Sequence, residues 1–350
     1  MNNKFGSPKV NKILKLEKDQ VTFLKKLKEK QGIINWSVLT IFFISLFIVI
    51  VVSVGPFFSV KYKIVSSSFD SEMERKIIED YNRLPNDTGK YIPFKDFDQN
   101  MAKSSFLEEY VEKELVPLVG DYGIFIKNIF SGEEIGVNKE KVFTAASLSK
   151  LFVAGSYYDY LEGDPVIGDS VLRLQDRDRV GGFGYLFNEP IGSEYYPDTL
   201  VEEMLSQSDN TAFSMMVRFL GINRISDFIK DNGFTNTSFE NNTSTPHDMG
   251  LFLEKLYKKE LFGEYYRDRM MDFMKDTAHE DRIPYYLPLD VSVAHKIGNW
   301  TGAYSDAGIV FGKSGDYIIV IMTDNADYEE SINAMRQVSR VVYEYFNQNF

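Results

Sequence analysis

The chain has 350 residues, 44% of them hydrophobic, with a formal net charge of −12; that is enough apolar content for one large domain or two small ones. It has no cysteine and three histidines, His247, His279 and His295, which excludes disulfides, thiol catalysis and cysteine-ligated metals and leaves too few imidazoles for a histidine-built metal site. No cofactor is expected, and the acidic balance argues against nucleic acid as a partner, because phosphate binding needs a basic patch.

From Gln31 to Val60 there is no charged residue, and the core of that stretch, Trp36 to Phe58, is 23 residues long. A bilayer needs about 20 apolar residues, so residues 33–60 are expected to be a transmembrane anchor. A cleaved signal peptide is the alternative, but its apolar stretch is usually about 7–15 residues behind a short basic leader. Residues 1–32 form a lysine-rich tail, with nine lysines against Glu17, Asp19 and Glu29. The positive-inside rule puts that tail in the cytoplasm and everything after Lys61 outside the plasma membrane, as a single-pass protein. Ile13, Leu14, Leu16, Val21, Phe23, Leu24 and Leu27 suit either an amphipathic helix on the inner membrane face or a solvated basic tail.

Residues 61–100 are polar, with turn signals at LPNDTGK and YIPFKDFDQN, and read as an extracytoplasmic stalk. A packed domain is expected over 101–350. FLEEYVEKELVPLV has helical spacing, and DYGIFIKNI followed by SGEEIGVN reads as two strands around a turn. Helical segments fill the middle, among them LVEEMLSQ, SDNTAFSMMVRFLG, INRISDFIKDNG and TPHDMGLFLEKLYKK. Three strands follow, in VSVAHKI, SDAGIVFG and DYIIVIMTD, and then a last helix whose stripe is Ile332, Met335, Val338, Val342 and Tyr345. This order predicts an α+β domain with terminal helices packed on an antiparallel sheet and an all-helical subdomain between.

The stretch FTAASLSKLFVAG (143–155) places two serines ahead of one lysine in apolar surroundings. On a helix starting at Ser147, residues three apart share a face, whereas neighbours diverge by about 100°. Ser147 therefore faces Lys150 and Ser149 does not. The helix start also favours developing negative charge, which suits an alkoxide nucleophile and the oxyanion it generates. An N-cap serine with a snorkelling lysine is the structural alternative for these four residues.

Two distant strings complete a pattern. Ser208-Asp209-Asn210 lies 61 residues after Ser147, and Lys296-Ile297-Gly298 lies on the first of the late strands. A serine with an in-register lysine, then Ser-Asp-Asn, then Lys-Thr-Gly is the signature of penicillin-binding proteins and class A β-lactamases. From about Phe106 to the C-terminus the chain resembles the class A β-lactamase-like serine hydrolases, a likeness that extends to GGFGYLFNEPIG, NNTSTPHDM and HKIGNWTGAYSDAG. The resemblance implies a β-lactamase/D,D-peptidase-like fold and an acyl-enzyme formed on Ser147. It further implies that Lys150 is the base, depressed in pKa by burial and by Lys296. Lys296 also attracts a substrate carboxylate, and Ser208 passes the proton to the leaving nitrogen. Asn210 bonds both Lys150 and the substrate amide, Gly298 and Asn299 line the substrate site, and the backbone N–H groups of Ser147 and Asn299 form the oxyanion hole. Asp209 is expected to bond its own turn.

Two departures matter. Class A β-lactamases activate the deacylating water with a glutamate in a Glu-x-x-Leu-Asn loop after Ser-Asp-Asn. Here only 34 residues, Thr211 to Ser244, separate that motif from TPHDM, and Glu240 is the only glutamate among them; Glu189 precedes Ser208 and is expected on the surface. Rapid β-lactam turnover is therefore not expected. The second departure is Ile297, which stands where the motif has threonine and offers no hydroxyl to a substrate carboxylate. One charge-assisted bond is worth about 1.5–3 kcal/mol, so Ile297→Thr is expected to speed acylation by a penicillin, unless Thr301 in the next turn already substitutes. His295 should face away from the site. Trp300 and Tyr304 either edge the cleft or cover the sheet, and Phe183 and Tyr185 stand where the family has a cleft-wall aromatic.

The expected function is a membrane-anchored, outward-facing serine hydrolase acting on an amide, peptide or ester, with a cell-wall peptide or a β-lactam as substrate. The alternatives are a β-lactamase proper, a sensor acylated at Ser147 without turnover, and a binding module that kept the fold.

Overall fold

The computed structural model describes residues 103–115 and 118–347. The expected tail, anchor and stalk lie outside the described residues, among which no helix is long and apolar enough to cross a membrane. Helix α1 (Lys103–Leu115) leads into strands β1 (Asp121–Asn128) and β2 (Glu134–Val137). The two strands pair antiparallel, with Ile124 opposite Val137. The chain returns to this sheet only after Asp290, as β7 (Ser292–Trp300), β8 (Ala303–Phe311) and β9 (Tyr317–Asp324). The order is β2-β1-β9-β8-β7, antiparallel throughout, so β7 is a free edge.

Between them, β3 (Phe143–Thr144) leads through a 3₁₀ turn, Ala146–Leu148, into helix α2 (Ser149–Gly163). A short ribbon of β4 (Leu172–Arg173) and β5 (Glu194–Tyr195) precedes α3 (Pro197–Ser206), α4 (Asn210–Leu220) and α5 (Ile222–Asp231). Strand β6 (Thr243–Ser244) pairs with β3. Helices α6 (Pro246–Tyr257) and α7 (Glu264–Lys275) complete the helical part, and α8 (Tyr328–Asn347) closes the chain. Helix α6 starts where its sequence says it should, with proline in the first turn and the Thr245 hydroxyl accepting from Asp248 N–H at 3.0 Å.

Alternation along the strands sorts the core into two layers. Tyr122, Ile124 and Ile126 of β1 and Tyr317, Ile319 and Ile321 of β9 pack with Leu107 and Val111 of α1 and Ile332, Met335, Val338 and Val342 of α8. The opposite side, Phe125, Ile318, Val320 and Met322, packs with α2 to α7. Each fully buried side chain of this kind contributes about 1.5–3 kcal/mol, so both faces of the sheet are firmly covered. The predicted α+β order is observed. One boundary differs: the nucleophile candidate sits in the 3₁₀ turn, and the α-helix begins two residues later, at Ser149.

Candidate active site

The turn that carries Ser147 is fixed from three sides. Thr144 N–H donates to the Asp324 carboxylate at 3.0 Å, Ala145 N–H to the Asn242 carbonyl at 2.8 Å, and Leu148 N–H to the Ala145 carbonyl at 3.0 Å. Ala146 takes a left-handed backbone, φ +49, at a cost of about 1–3 kcal/mol that the surrounding bonds must offset. This kink separates the strand from the helix and presents Ser147 at the surface of the fold. Ser149 is excluded as a nucleophile by its own bond, because its hydroxyl donates to the Ala146 carbonyl at 2.8 Å.

Lys150 lies at the centre, only 2% exposed. Its Nζ is 3.2 Å from Ser147 Oγ, 3.1 Å from Ser208 Oγ, 2.6 Å from the Ser208 carbonyl and 2.8 Å from Asn210 Oδ1. Lys296 Nζ reaches Ser208 Oγ from the other side at 3.0 Å and its neighbour's carbonyl, on Ile297, at 3.3 Å. Ser208 thus bridges two lysines. Burial lowers the Lys150 pKa to about 7, with Asp209 opposing. Burial also holds Lys296 well below the ordinary lysine range, and the charge of Lys150 adds to that.

Ser208 also has a left-handed backbone, φ +57. Asp209 caps α4, accepting from Ala212 N–H at 2.8 Å and Leu186 N–H at 2.9 Å. Its carboxylate is therefore spent on the backbone, as expected. A Cβ on Gly184 would stand 2.0 Å from Asp209 Oδ2, so the loop over this motif accepts only glycine there. Asn210 Nδ2 donates to the Gly181 carbonyl at 3.0 Å, and Asn210 N–H to the Phe183 carbonyl at 3.1 Å. The 180s loop is thereby tied to the cleft.

Strand β7 runs beside the serine turn closely enough that a Cβ on Gly298 would lie 3.0 Å from the Ala145 carbonyl. Strand parity puts Lys296, Gly298 and Trp300 on the cleft face and His295, Ile297 and Asn299 on the other. His295 is fully buried there, its Nδ1 2.9 Å from the Asp306 carboxylate. Ile297 is buried opposite Asp306, so, contrary to expectation, a hydroxyl at this position would point away from a substrate carboxylate in the cleft. Trp300 is 66% exposed at the end of the strand, and Thr301 is exposed in the turn beyond it. Tyr304 packs on the far face, its ring edge-on to Tyr328 at 5.2 Å, and so covers the sheet.

Sequence reasoning missed three groups here. Arg282, with no exposed surface, donates to the Gly298 carbonyl at 3.0 Å, to the Ser305 carbonyl at 2.6 Å and to Asn299 Oδ1. It pins the β7–β8 pair at the level of the site. His279 packs against the Phe183 ring, edge to face at 5.2 Å. Phe213 lies 5.7 Å from Lys150 Nζ, and Phe239 packs on Phe213 at 6.1 Å. Glu240, next to Phe239, is exposed.

An antiparallel sheet between terminal helices and a helical subdomain, with Ser147, Lys150, Ser208 and Lys296 in one hydrogen-bonded chain, defines a serine hydrolase of the β-lactamase/D,D-peptidase superfamily. The family model described as "Beta-lactamase enzyme family" matches residues 107–346, and the chain belongs to that family. Among solved structures it is similar to PBP-A, at 25% identity over 69% of this chain and 96% of that one, with a TM-score of 0.65. A PBP-A mutant held as an acyl-enzyme complex with penicillin G matches with a TM-score of 0.66 at the same identity and coverage. The TLA-1 extended-spectrum β-lactamase, at 21% identity over 71% of this chain and all of that one, shares the fold with a TM-score of 0.66.

Proposed function

We propose that the chain is a membrane-anchored, extracytoplasmic serine acyl-transfer hydrolase whose substrate is an amide, peptide or ester, a cell-wall peptide or a β-lactam among them. The observation that carries this reading is the lysine Nζ placed 3.2 Å from Ser147 Oγ and 3.1 Å from Ser208 Oγ, with its pKa lowered to about 7. A neutral Lys150 takes the Ser147 proton as Oγ attacks the carbonyl carbon and the C–O bond forms. The C–N or C–O bond to the leaving group then breaks. The proton passes from Lys150 through Ser208 to the leaving atom, and Lys296 keeps the Ser208 hydroxyl aligned. Asn210 holds the substrate amide alongside Gly298 and Asn299, and the N–H groups of Ser147 and Asn299 receive the oxyanion. The penicillin G complex of the PBP-A mutant supports a β-lactam as a probe of this chemistry. Residues 1–32 form the cytoplasmic tail, 33–60 the anchor, 61–100 the stalk and 101–350 the hydrolase domain.

A second reading, slow or absent deacylation as in a sensor, is favoured by the Phe213 ring beside Lys150, backed by Phe239, together with the exposure of Glu240. The test is the intact mass of the protein over time with a fluorescent penicillin or a fluorophosphonate. An adduct on the wild type that is absent from Ser147→Ala is expected, and it should outlast the incubation with penicillin. An adduct that forms and vanishes would point to a β-lactamase. No adduct with either probe removes Ser147 as the nucleophile.

A further inference from the structure

A backbone N–H is one end of a planar peptide unit, and the carbonyl at the other end points the opposite way. Whatever grips the carbonyl therefore aims the N–H. The N–H groups of Ser147 and Asn299 belong to the Ala146–Ser147 and Gly298–Asn299 peptides. The two segments abut, since a Cβ on Gly298 would lie 3.0 Å from the Ala145 carbonyl.

Both carbonyl ends are held by a buried side chain that the acyl-transfer steps leave idle. The Ala146 carbonyl accepts from Ser149 Oγ at 2.8 Å, and the Ser149 N–H turns to the same carbonyl. The Gly298 carbonyl accepts from Arg282 Nη1 at 3.0 Å. The same Nη1 donates to the Ser305 carbonyl at 2.6 Å, and Nη2 donates to Asn299 Oδ1. Ser305 stands opposite Gly298 on β8, so the Gly298 carbonyl faces β8. The Asn299 N–H then faces the free edge of β7, beside the serine turn.

Arg282 is a costly choice for such a hold. It has no exposed surface, and its ion pair with Asp281 is loose, 3.6 Å at Nε. A neutral donor would hold the carbonyl with less desolvation. What the charge adds is polarisation, because a cation at the C=O end draws electron density from the N–H and strengthens it as a donor.

We propose that Ser149 and Arg282 are positioning residues of the oxyanion hole: each grips the carbonyl of one peptide from behind, and so aims and polarises the N–H that meets the oxyanion. This rests on the acyl-enzyme reading in which Ser147 and Asn299 N–H groups receive that charge. It gives the second serine of FTAASLSK a task distinct from that of the first.

The experiment uses the full chain in detergent, as wild type, Ser149→Ala, Arg282→Lys and Arg282→Met. Acylation of Ser147 is timed with a fluorescent penicillin and with a fluorophosphonate, which carries no carboxylate. Infrared difference spectra of the penicillin adduct, isotope-labelled at the ester carbonyl, then read the oxyanion hole directly, since hydrogen bonds to that carbonyl lower its stretching frequency. Ser149→Ala is expected to slow both probes about three- to tenfold, the rate equivalent of one hydrogen bond. Arg282→Met is expected to slow both about ten- to a hundredfold, short of the ~10²–10³ that follows loss of a whole oxyanion donor. Arg282→Lys, which keeps the charge, should fall between Met and wild type, and it carries the Arg282 test if the Met variant does not fold. In every variant the ester band should move to higher frequency, in the order of the rates. A variant that is slowed while its ester band stays in place makes that residue a support of the fold only and overturns its role here, as does an unchanged rate. Slowing of Arg282 variants confined to the penicillin would place Arg282 on the substrate carboxylate and overturn its part of the proposal. Each of these results leaves the acyl-enzyme reading intact, whereas no adduct on wild-type protein with either probe overturns both.

Discussion

Lys150 can act as a base only in its neutral form, and its position decides when that form exists. Burial brings its pKa to about 7, so acylation should rise with pH through that value and level off above it. Lys150→Arg should abolish it, because guanidinium does not give up its proton; a pH–rate profile of adduct formation checks both statements. The pairing with Ser147 was legible in the sequence because i and i+3 share a side in a 3₁₀ turn as in an α-helix. The left-handed Ala146 was not, since nothing in an alanine announces φ +49. Ile297 is a departure visible in one letter. Its side chain is buried on the face of β7 turned away from the cleft, opposite Asp306, so Ile297→Thr is expected to leave the rate of penicillin acylation essentially unchanged. A clear rise in that rate would return this position to carboxylate recognition.

Strand β7 brings Lys296 to the serine turn, and Arg282 holds β7 in place. Arg282→Met would strip two backbone carbonyls and Asn299 Oδ1 of their donor. Leaving such acceptors unpaired costs about 1–3 kcal/mol each. The variant should therefore lower the urea midpoint by the equivalent of at least about 2 kcal/mol at an unchanged m-value. It should also slow acylation; an unchanged midpoint would contradict the pinning role. The strand itself could be read from its alternation and the helices from their caps and stops. Arg282 could not, because its partners lie 16 to 23 residues onward, in a pairing that exists only once the hairpin forms.

At the scale of the molecule, the sheet serves two masters. One face is closed by α1 and α8, from opposite ends of the described chain, and the other carries the helical subdomain and the cleft. Element order alone foretold this division, since strands that open and close a domain must meet in one sheet and the helices between them must cover a face. The shortened segment between Ser-Asp-Asn and TPHDM was equally plain as a count of residues. Where its aromatic side chains come to lie, with the Phe213 ring 5.7 Å from Lys150 Nζ and Phe239 packed on Phe213, needed the fold. On the reading in which the acyl group leaves slowly, the lifetime of the ester on Ser147 becomes a clock set by the protein. A slow clock makes each copy a record of one encounter, and the cell's response to an acylating compound would then scale with dose and copy number instead of turnover.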